Sequence, residues 1–278
     1  MRTLRRLVRI PLLFVHVSLG VVVILAATGW DRLRRRPLHE GLARGMQVFW
    51  CWSICRLLGV RIHVQGAPAV EPPALFVSNH LSWLDILVIS ARWPVSFLSK
   101  SEVRAWPGIG AVATALGTLY IERGARNASG QANAVMAQRL SEGYRVIFFP
   151  EGTTSPGGEL LPFRPRLYQA ALDAEAPVQP VTISYRNAEG ELSDAAPFVN
   201  NDPLIRHVVR LAGEPRTDCR VYVCNAIDVE GRKRSELSAL SRAAMANALG
   251  LQDAAGADNG RVSREDRANA PESATETQ

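Results

Sequence analysis

The residues best suited to chemistry in this chain of 278 are Ser78-Asn79-His80-Leu81-Ser82-Trp83-Leu84-Asp85, which follow a short apolar run. Imidazole is the side chain that takes a proton near neutral pH. A carboxylate bound to its other ring nitrogen would fix the tautomer and stabilise the imidazolium. The spacing restricts how the two can meet. On one continuous helix, residues five apart lie about 140° apart. His80 and Asp85 therefore meet only if His80 sits in a loop and Asp85 in the first helical turn. Ser82-x-x-Asp85 reads as such a helix start, with Ser82 as N-cap. The same spacing also describes a commoner arrangement, in which Asp85 merely caps the helix and His80 is a loop histidine.

Two further clusters lie at strand ends. Phe149-Pro150-Glu151-Gly152-Thr153-Thr154 closes the apolar run RVIFF. Pro150 ends a hydrogen-bond ladder and Gly152 allows close backbone approach. A carboxylate and free N–H groups then lie where α/β folds bind ligands. In Gly117-Thr118-Leu119-Tyr120-Ile121-Glu122-Arg123 an arginine leaves a strand. Arginine can hold a phosphate bidentately, although a solvated Glu–Arg pair fits the spacing as well. There is no phosphate-binding G-x-x-x-x-G-K-[ST], no G-x-S-x-G and no H-E-x-x-H, and the only lysines are Lys100 and Lys233. Cys51, Cys55, Cys219 and Cys224 make no zinc pattern or disulfide framework and read as reduced thiols.

The elements that must position these groups are legible from periodicity. Apolar runs at 60–65, 74–78, 95–99, 118–122, 145–149, 178–185 and 220–224 read as strands, several of them buried on both faces. Helices are expected at 83–91, 109–116, 129–142, 166–175, 203–212 and 234–249. The alternation predicts an α/β fold, a mixed, largely parallel sheet flanked by helices. Residues 60–250 would form this domain and 251–278, with no aromatic residue, a disordered tail.

The first 59 residues differ in kind. Ile10 to Trp30 carries no formal charge and is long enough to span or enter a bilayer. Pro11 marks its expected start. Residues 41–60 are rich in aromatics and read as an interfacial helix, because their apolar positions look too dense for a one-sided stripe. Charge follows the same division. Residues 1–36 hold eight arginines against one acid, a charge of +7, whereas the other 242 residues carry 24 basic and 25 acidic groups, a charge of −1. The overall +6 is thus a device of the apolar segment's flanks, meant for anionic head groups. It argues against nucleic acid as a partner.

Taken in order, Asn79-His80-x4-Asp85, Gly117 to Arg123, Phe149 to Thr153 and Ala176-Pro177-Val178-Gln179-Pro180-Val181 resemble the four motifs of the glycerolipid acyltransferases. More closely, they resemble the 1-acylglycerol-3-phosphate acyltransferase family of bacteria. The resemblance covers about residues 60–225, and residues 1–60 match the family's N-terminal membrane helices. It implies His80 as general base on the sn-2 hydroxyl of lysophosphatidate, oriented by Asp85. It implies acyl-CoA or acyl-carrier protein as thioester co-substrate, with no cofactor and no metal. Arg123 would bind the acceptor phosphate. Asn79, Glu151, Gly152 and Thr153 would shape the acceptor site, Lys100 would add charge and Pro180 would constrain the backbone. The implied location is the cytoplasmic face of the inner membrane. One position departs from the pattern, since Thr154 stands where the family often has arginine. FPEGTTS…LPFR also occurs in relatives that acylate lyso-ornithine lipid, so Thr154, Arg164 and Arg123 would face either a phosphate or an ornithine carboxylate. Phosphatidate synthesis is the first expectation and lyso-ornithine acylation the alternative. A lipid hydrolase or a non-catalytic membrane-binding module stands further off.

Overall fold

The structure, a computed structural model, describes residues 1–37, 40–122, 127–199 and 202–251. The expected tail, apart from Leu251, lies outside the described residues, and so does Arg123. Seven strands, β1 (Val60–Gly66), β2 (Ala74–Ser78), β3 (Ser96–Lys100), β4 (Leu119–Ile121), β5 (Arg145–Phe148), β6 (Val178–Arg186) and β7 (Thr217–Val223), form one sheet in the order β1-β7-β6-β2-β5-β3-β4. Neighbouring strands are parallel except β6 with β7. The mixed, largely parallel sheet is therefore as expected.

Helices cover both faces. α1 (Arg2–Leu33), α2 (Leu42–Leu57), α3 (Leu84–Ser90), α4 (Ile109–Ala115) and α7 (Leu204–Gly213) lie on one side. α5 (Ala128–Ser141), α6 (Gln169–Asp173) and α8 (Arg234–Leu249) lie on the other. The run expected as one helix at 166–175 is a 3-10 turn, Pro165–Tyr168, leading into α6. Central β2 is buried at all five positions. Phe76 joins the α1–α2 side, while Leu75 and Val77 join the other. A strand between two apolar layers must be apolar throughout, which is why its sequence does not alternate.

The N-terminal segment forms an antiparallel helical hairpin against the body. Ile10, Leu13, Val17, Gly20, Val21, Ile24, Ala27, Thr28 and Asp31 recur every three or four residues and face inward. The opposite face leaves Leu7, Phe14, Val15, Leu19, Val22 and Leu25 exposed. The helix begins at Arg2 rather than Ile10, so Pro11 lies inside it. α2 also departs from expectation. It buries Ala43, Arg44, Gln47, Trp50, Cys51, Ile54 and Cys55, a one-sided stripe, while Phe49 and Trp52 stay exposed. Counting apolar residues concealed that stripe because polar Arg44 and Gln47 belong to it. Arg44 reaches the Val95 carbonyl and the Ser96 hydroxyl, both at the start of β3.

The first arginine cluster is bonded to the C-terminal end of α7. Arg5 Nε donates to Gly213 O at 2.8 Å and Arg6 Nε to Val209 O at 3.0 Å. Arg9 donates to the carbonyls of Ala212 and Glu214, and Arg2 pairs with Glu214. The last carbonyls of a helix have no intrahelical donor and carry partial negative charge. The arginines of α1 satisfy those of α7. At the other end of α1, Asp31 accepts from the backbone N–H groups of Leu42 and Ala43 at 3.0 and 2.9 Å, capping α2. Arg32, Arg34, Arg35 and Arg36 are exposed, with Arg34 over the Trp30 ring.

A Cβ placed on Gly20 would run into the Trp50 indole, whereas Gly29 in the same helix has open space. Gly20→Leu is expected to destabilise the fold by about 1–3 kcal/mol through overpacking, and Gly29→Leu to leave it unchanged. Denaturant titration in detergent reads both, and equal midpoints would show that α1 is not seated on α2.

Candidate active site

The parallel strands β2, β5, β3 and β4 run out at one edge of the sheet, and the candidate residues follow them there. After Ser78 the chain leaves β2, but Asn79 keeps it tied to β6. Its amide donates to Ile183 O at 2.9 Å and accepts from Ile183 N at 2.8 Å. Asn79 is 2 % exposed, and its side chain extends the ladder in place of backbone.

The next residue, His80, projects on the α1–α2 side, where its ring stacks on Phe149 with centroids 3.9 Å apart. His80 Nδ1 lies 2.8 Å from Asp85 Oδ2. Asp85 is in the first turn of α3 and fully buried. Its Oδ2 also accepts from Leu81 N at 2.7 Å and Ser82 N at 2.9 Å. Of the two readings of the spacing, the pairing is the one met: the carboxylate holds the imidazole and closes the turn ahead of α3, and it does not cap the helix. Ser82 is not the cap; its buried hydroxyl has no partner among the described residues. The Asp85 carboxylate instead gathers the N–H groups of the turn, and a charged acceptor binds N–H groups more strongly than a hydroxyl does.

The other carboxylate oxygen, Oδ1, accepts from the Tyr185 hydroxyl at 2.7 Å. Tyr185 stands on β6, buried, and both burial and the Asp85 charge push its phenol well above its ordinary pKa. It stays protonated and donates. Nothing local in the sequence marked Tyr185, which is a hundred residues from its partner. The signal that was available is alternation, since Ile183 and Tyr185 share the face of β6 that looks toward α2.

The second cluster is stitched to the first. Glu151 Oε1 accepts from His80 N at 3.0 Å and Oε2 from Leu161 N at 3.2 Å. Ser155 N donates to His80 O at 2.8 Å. Burial raises the Glu151 pKa, and the two N–H groups oppose that rise. Glu151 is 3 % exposed, with both oxygens committed, so it shapes the loop from within. Gly152 has φ of 72° and lies against the guanidinium of Arg164, which a Cβ would crowd. Arg164 and Thr153 are exposed beside it. Thr154 is turned away, its hydroxyl donating to Phe198 O at 2.7 Å.

Lys100 ends β3, exposed, in register with Ile121 of β4. Pro180 is buried in β6 opposite Val77. The structure thus gathers Asn79, His80, Asp85, Glu151, Gly152, Thr153, Thr154 and Arg164 and leaves Lys100 at the neighbouring strand end. A groove of about 600 Å³ opens behind the loop, walled by Asn79, Leu81, Thr182, Arg186 and Tyr222. His80, Asp85 and Glu151 do not line it, so it is not where the imidazole would meet a reactant. All four cysteines are buried free thiols, and burial pushes Cys51 up to about 12 and Cys224 to about 11. They are poor nucleophiles.

The arrangement can do one kind of chemistry well. A neutral imidazole donating through Nδ1 to a buried carboxylate presents Nε2 as a base at a partly open site; the side chain is 20 % exposed.

Known proteins bear directly on that chemistry. A family described as Acyltransferase matches residues 61–184. A lyso-ornithine lipid O-acyltransferase of Pseudomonas aeruginosa is 38% identical over 256 residues, 90% of this chain and 95% of the relative. A 1-acyl-sn-glycerol-3-phosphate acyltransferase of Neisseria meningitidis is 37% identical over 175 residues, 62% of this chain and 68% of the relative. The crystal structure of the 1-acyl-sn-glycerophosphate acyltransferase of Thermotoga maritima shares the fold, with a TM-score of 0.63 at 20% identity over 91% of this chain and all of that one. By these likenesses the chain belongs to the 1-acylglycerol-3-phosphate acyltransferase family of glycerolipid acyltransferases.

Proposed function

We propose that this acyltransferase moves a fatty acyl chain from a thioester, acyl-CoA or acyl-carrier protein, to the hydroxyl of a lyso-lipid, with lyso-ornithine lipid as the acceptor. The observation that carries the chemistry is the pairing of His80 Nδ1 with buried Asp85. His80 Nε2 takes the proton of the acceptor hydroxyl as its oxygen attacks the thioester carbonyl. A C–O bond forms, the C–S bond breaks, and the imidazolium returns the proton to the departing thiolate. No acyl-enzyme forms. Asp85 holds the ring, Phe149 fixes its plane, and Glu151 sets the backbone that carries it.

The choice of acceptor reverses the first expectation from the motifs. The Pseudomonas relative, matched over nearly its whole length, bears the lyso-ornithine name, and so does a Rhodobacter capsulatus relative 34% identical over 82% of its length. Thr154 agrees with this reading. It replaces a fixed cation, and its hydroxyl is spent on Phe198. A zwitterionic head group needs fewer aimed cations than a phosphate does. Lysophosphatidate remains the second reading, favoured by the Neisseria relative and by Arg164 exposed at Gly152.

The chain is membrane-associated by its relatives and by α1, the one described helix long and apolar enough to cross a bilayer. In our reading α1 lies in one leaflet, on the cytoplasmic side of the bacterial inner membrane. The helix is about 48 Å long and is held to the body from Arg2 to Asp31. A perpendicular span would drag the polar rim of that body into hydrocarbon. An in-plane helix instead buries its exposed apolar face, alongside Phe49 and Trp52, and leaves the rest in water.

Three outcomes test this. His80→Ala is expected to lower transfer at least about 10²-fold while the protein still floats with vesicles; undiminished transfer would remove His80 as the base. Purified enzyme given both acceptors should acylate lyso-ornithine lipid in preference to lysophosphatidate, and the opposite preference restores the second reading. Glu151→Gln sets an NH₂ group against one of two backbone N–H donors, so a loss of about 1–3 kcal/mol in denaturant stability is expected, with activity falling too. A variant as stable as the parent would deny Glu151 its place in the loop.

A further inference from the structure

We propose that His207 is a positioning residue for acyl transfer, a buried imidazole that holds the catalytic loop in register from α7. The inference rests on the reading of His80 as the base. His207 is fully buried on α7, and both of its ring nitrogens are engaged. Trp83 Nε1–H donates to His207 Nδ1 at 3.0 Å. His207 Nε2 donates to Pro197 O at 3.1 Å. Only the neutral ring with its proton on Nε2 can make both bonds. Burial, and then the charge of Arg210, keep it neutral.

The partners explain what this holds. Trp83 lies between His80 and Asp85 and is the residue on which α3 begins. Its indole is therefore a handle on the turn that closes the His80–Asp85 pair. Pro197 leads into Phe198, whose N–H donates to Leu81 O at 2.8 Å and whose carbonyl accepts from Thr154 Oγ1 at 2.7 Å. The Phe198 ring meets the His207 ring edge-on, centroids 5.1 Å apart. Residues 197–198 thus form a strap joined to three elements: the loop of His80, the loop of Glu151, and α7. His207 ties the strap and the His80 loop to one rigid helix. That helix is itself seated by Arg5, Arg6 and Arg9 of α1. None of Trp83, Pro197, Phe198 or His207 makes a hydrogen bond or ring contact with His80. Their effect on it runs through the backbone of residues 81–83.

Reacting groups displaced by about 1 Å can cost on the order of 10²-fold in rate. His207→Leu removes the acceptor from Trp83 and the donor from Pro197. Trp83→Phe removes the indole N–H alone. His207→Asn keeps an acceptor near the δ position. The test is kcat and both KM values of the full-length protein in mixed micelles. Acyl-carrier-protein thioester is the donor, each of the two lyso-lipids is offered as acceptor, and His80→Ala is run beside the variants. The expected result is a fall in kcat of about ten- to a hundredfold for His207→Leu and for Trp83→Phe, with KM little changed. The double variant should be no worse than the poorer single one, because both break the same tie. His207→Asn should recover most of the loss.

Folded His207→Leu and Trp83→Phe proteins that keep parental kcat overturn the proposal, as do losses that simply multiply in the double variant. If His207→Leu does not fold by circular dichroism, Trp83→Phe and His207→Asn decide in the same way. An active His80→Ala defeats the base assignment instead. An inactive His80→Ala beside fully active His207 and Trp83 variants defeats this proposal alone.

Discussion

A carboxylate with no exposed surface governs the site. Taking an ionised group out of water costs several kcal/mol even after relaxation, and the chain offsets that at Asp85 with four donors: two backbone N–H groups, the His80 ring and the Tyr185 hydroxyl. Each donor comes with a structural demand. The N–H groups require the chain to turn tightly into α3. The imidazole must lie in the loop ahead of that turn. The hydroxyl needs a strand that runs past the end of β2, and β6 does so, pairing with Ser78 at Val181 and continuing to Arg186. Asn79 fills the gap between the two strands by bonding Ile183. The length of β6, the amide at 79 and the start of α3 follow from a single buried charge.

The loop from β5 answers a related constraint. A catalytic backbone segment outside a sheet has no ladder of its own, yet its N–H and C=O groups must still be paired. His80 N goes to Glu151 and His80 O to Ser155 N, so the loop after β5 serves as the missing strand. In this light the FPEG sequence is first a scaffold. Pro150 ends the β5 ladder, Gly152 takes the left-handed turn at φ of 72°, and Glu151 folds back under His80. What is left facing outward, Thr153 and the Arg164 guanidinium, is small in number and well aimed.

Much of this was legible in the residues alone, for identifiable reasons. Apolar runs such as ALFV read as buried strands because a two-layer core leaves a central strand no polar face. The dyad was legible only with the other three motifs in order, because the five-residue spacing alone fits a helix-capping Asp85 as well. Tyr185, Phe198 and His207 were not, since each meets a partner a hundred or more residues away and looks unremarkable locally. The buried stripe of α2 was missed for a different reason. Arg44 and Gln47 are polar yet buried, because they bond the Val95 carbonyl, Ser96 and Ser90, and hydropathy counts them as outward-facing. The bonds of the first four arginines were hidden in a similar way. Formal charge beside an apolar helix suggests lipid, but these side chains also serve the carbonyl end of α7 and Glu214.

Those bonds alter how the membrane enters the problem. With Arg5, Arg6 and Arg9 on α7 and Asp31 on α2, the apolar helix is a wall of the domain, and its inward stripe is continuous with the core under the sheet. His80 opens on that same side. If the outer face of α1 lies in lipid, the distance from the bilayer to the imidazole is set by packed helices and not by a linker. A lyso-lipid has its reactive hydroxyl near the polar boundary of the leaflet, and a base that serves it must sit at a defined depth. Rigid attachment of α1 supplies that depth, and a flexible tether of equal hydrophobicity would not.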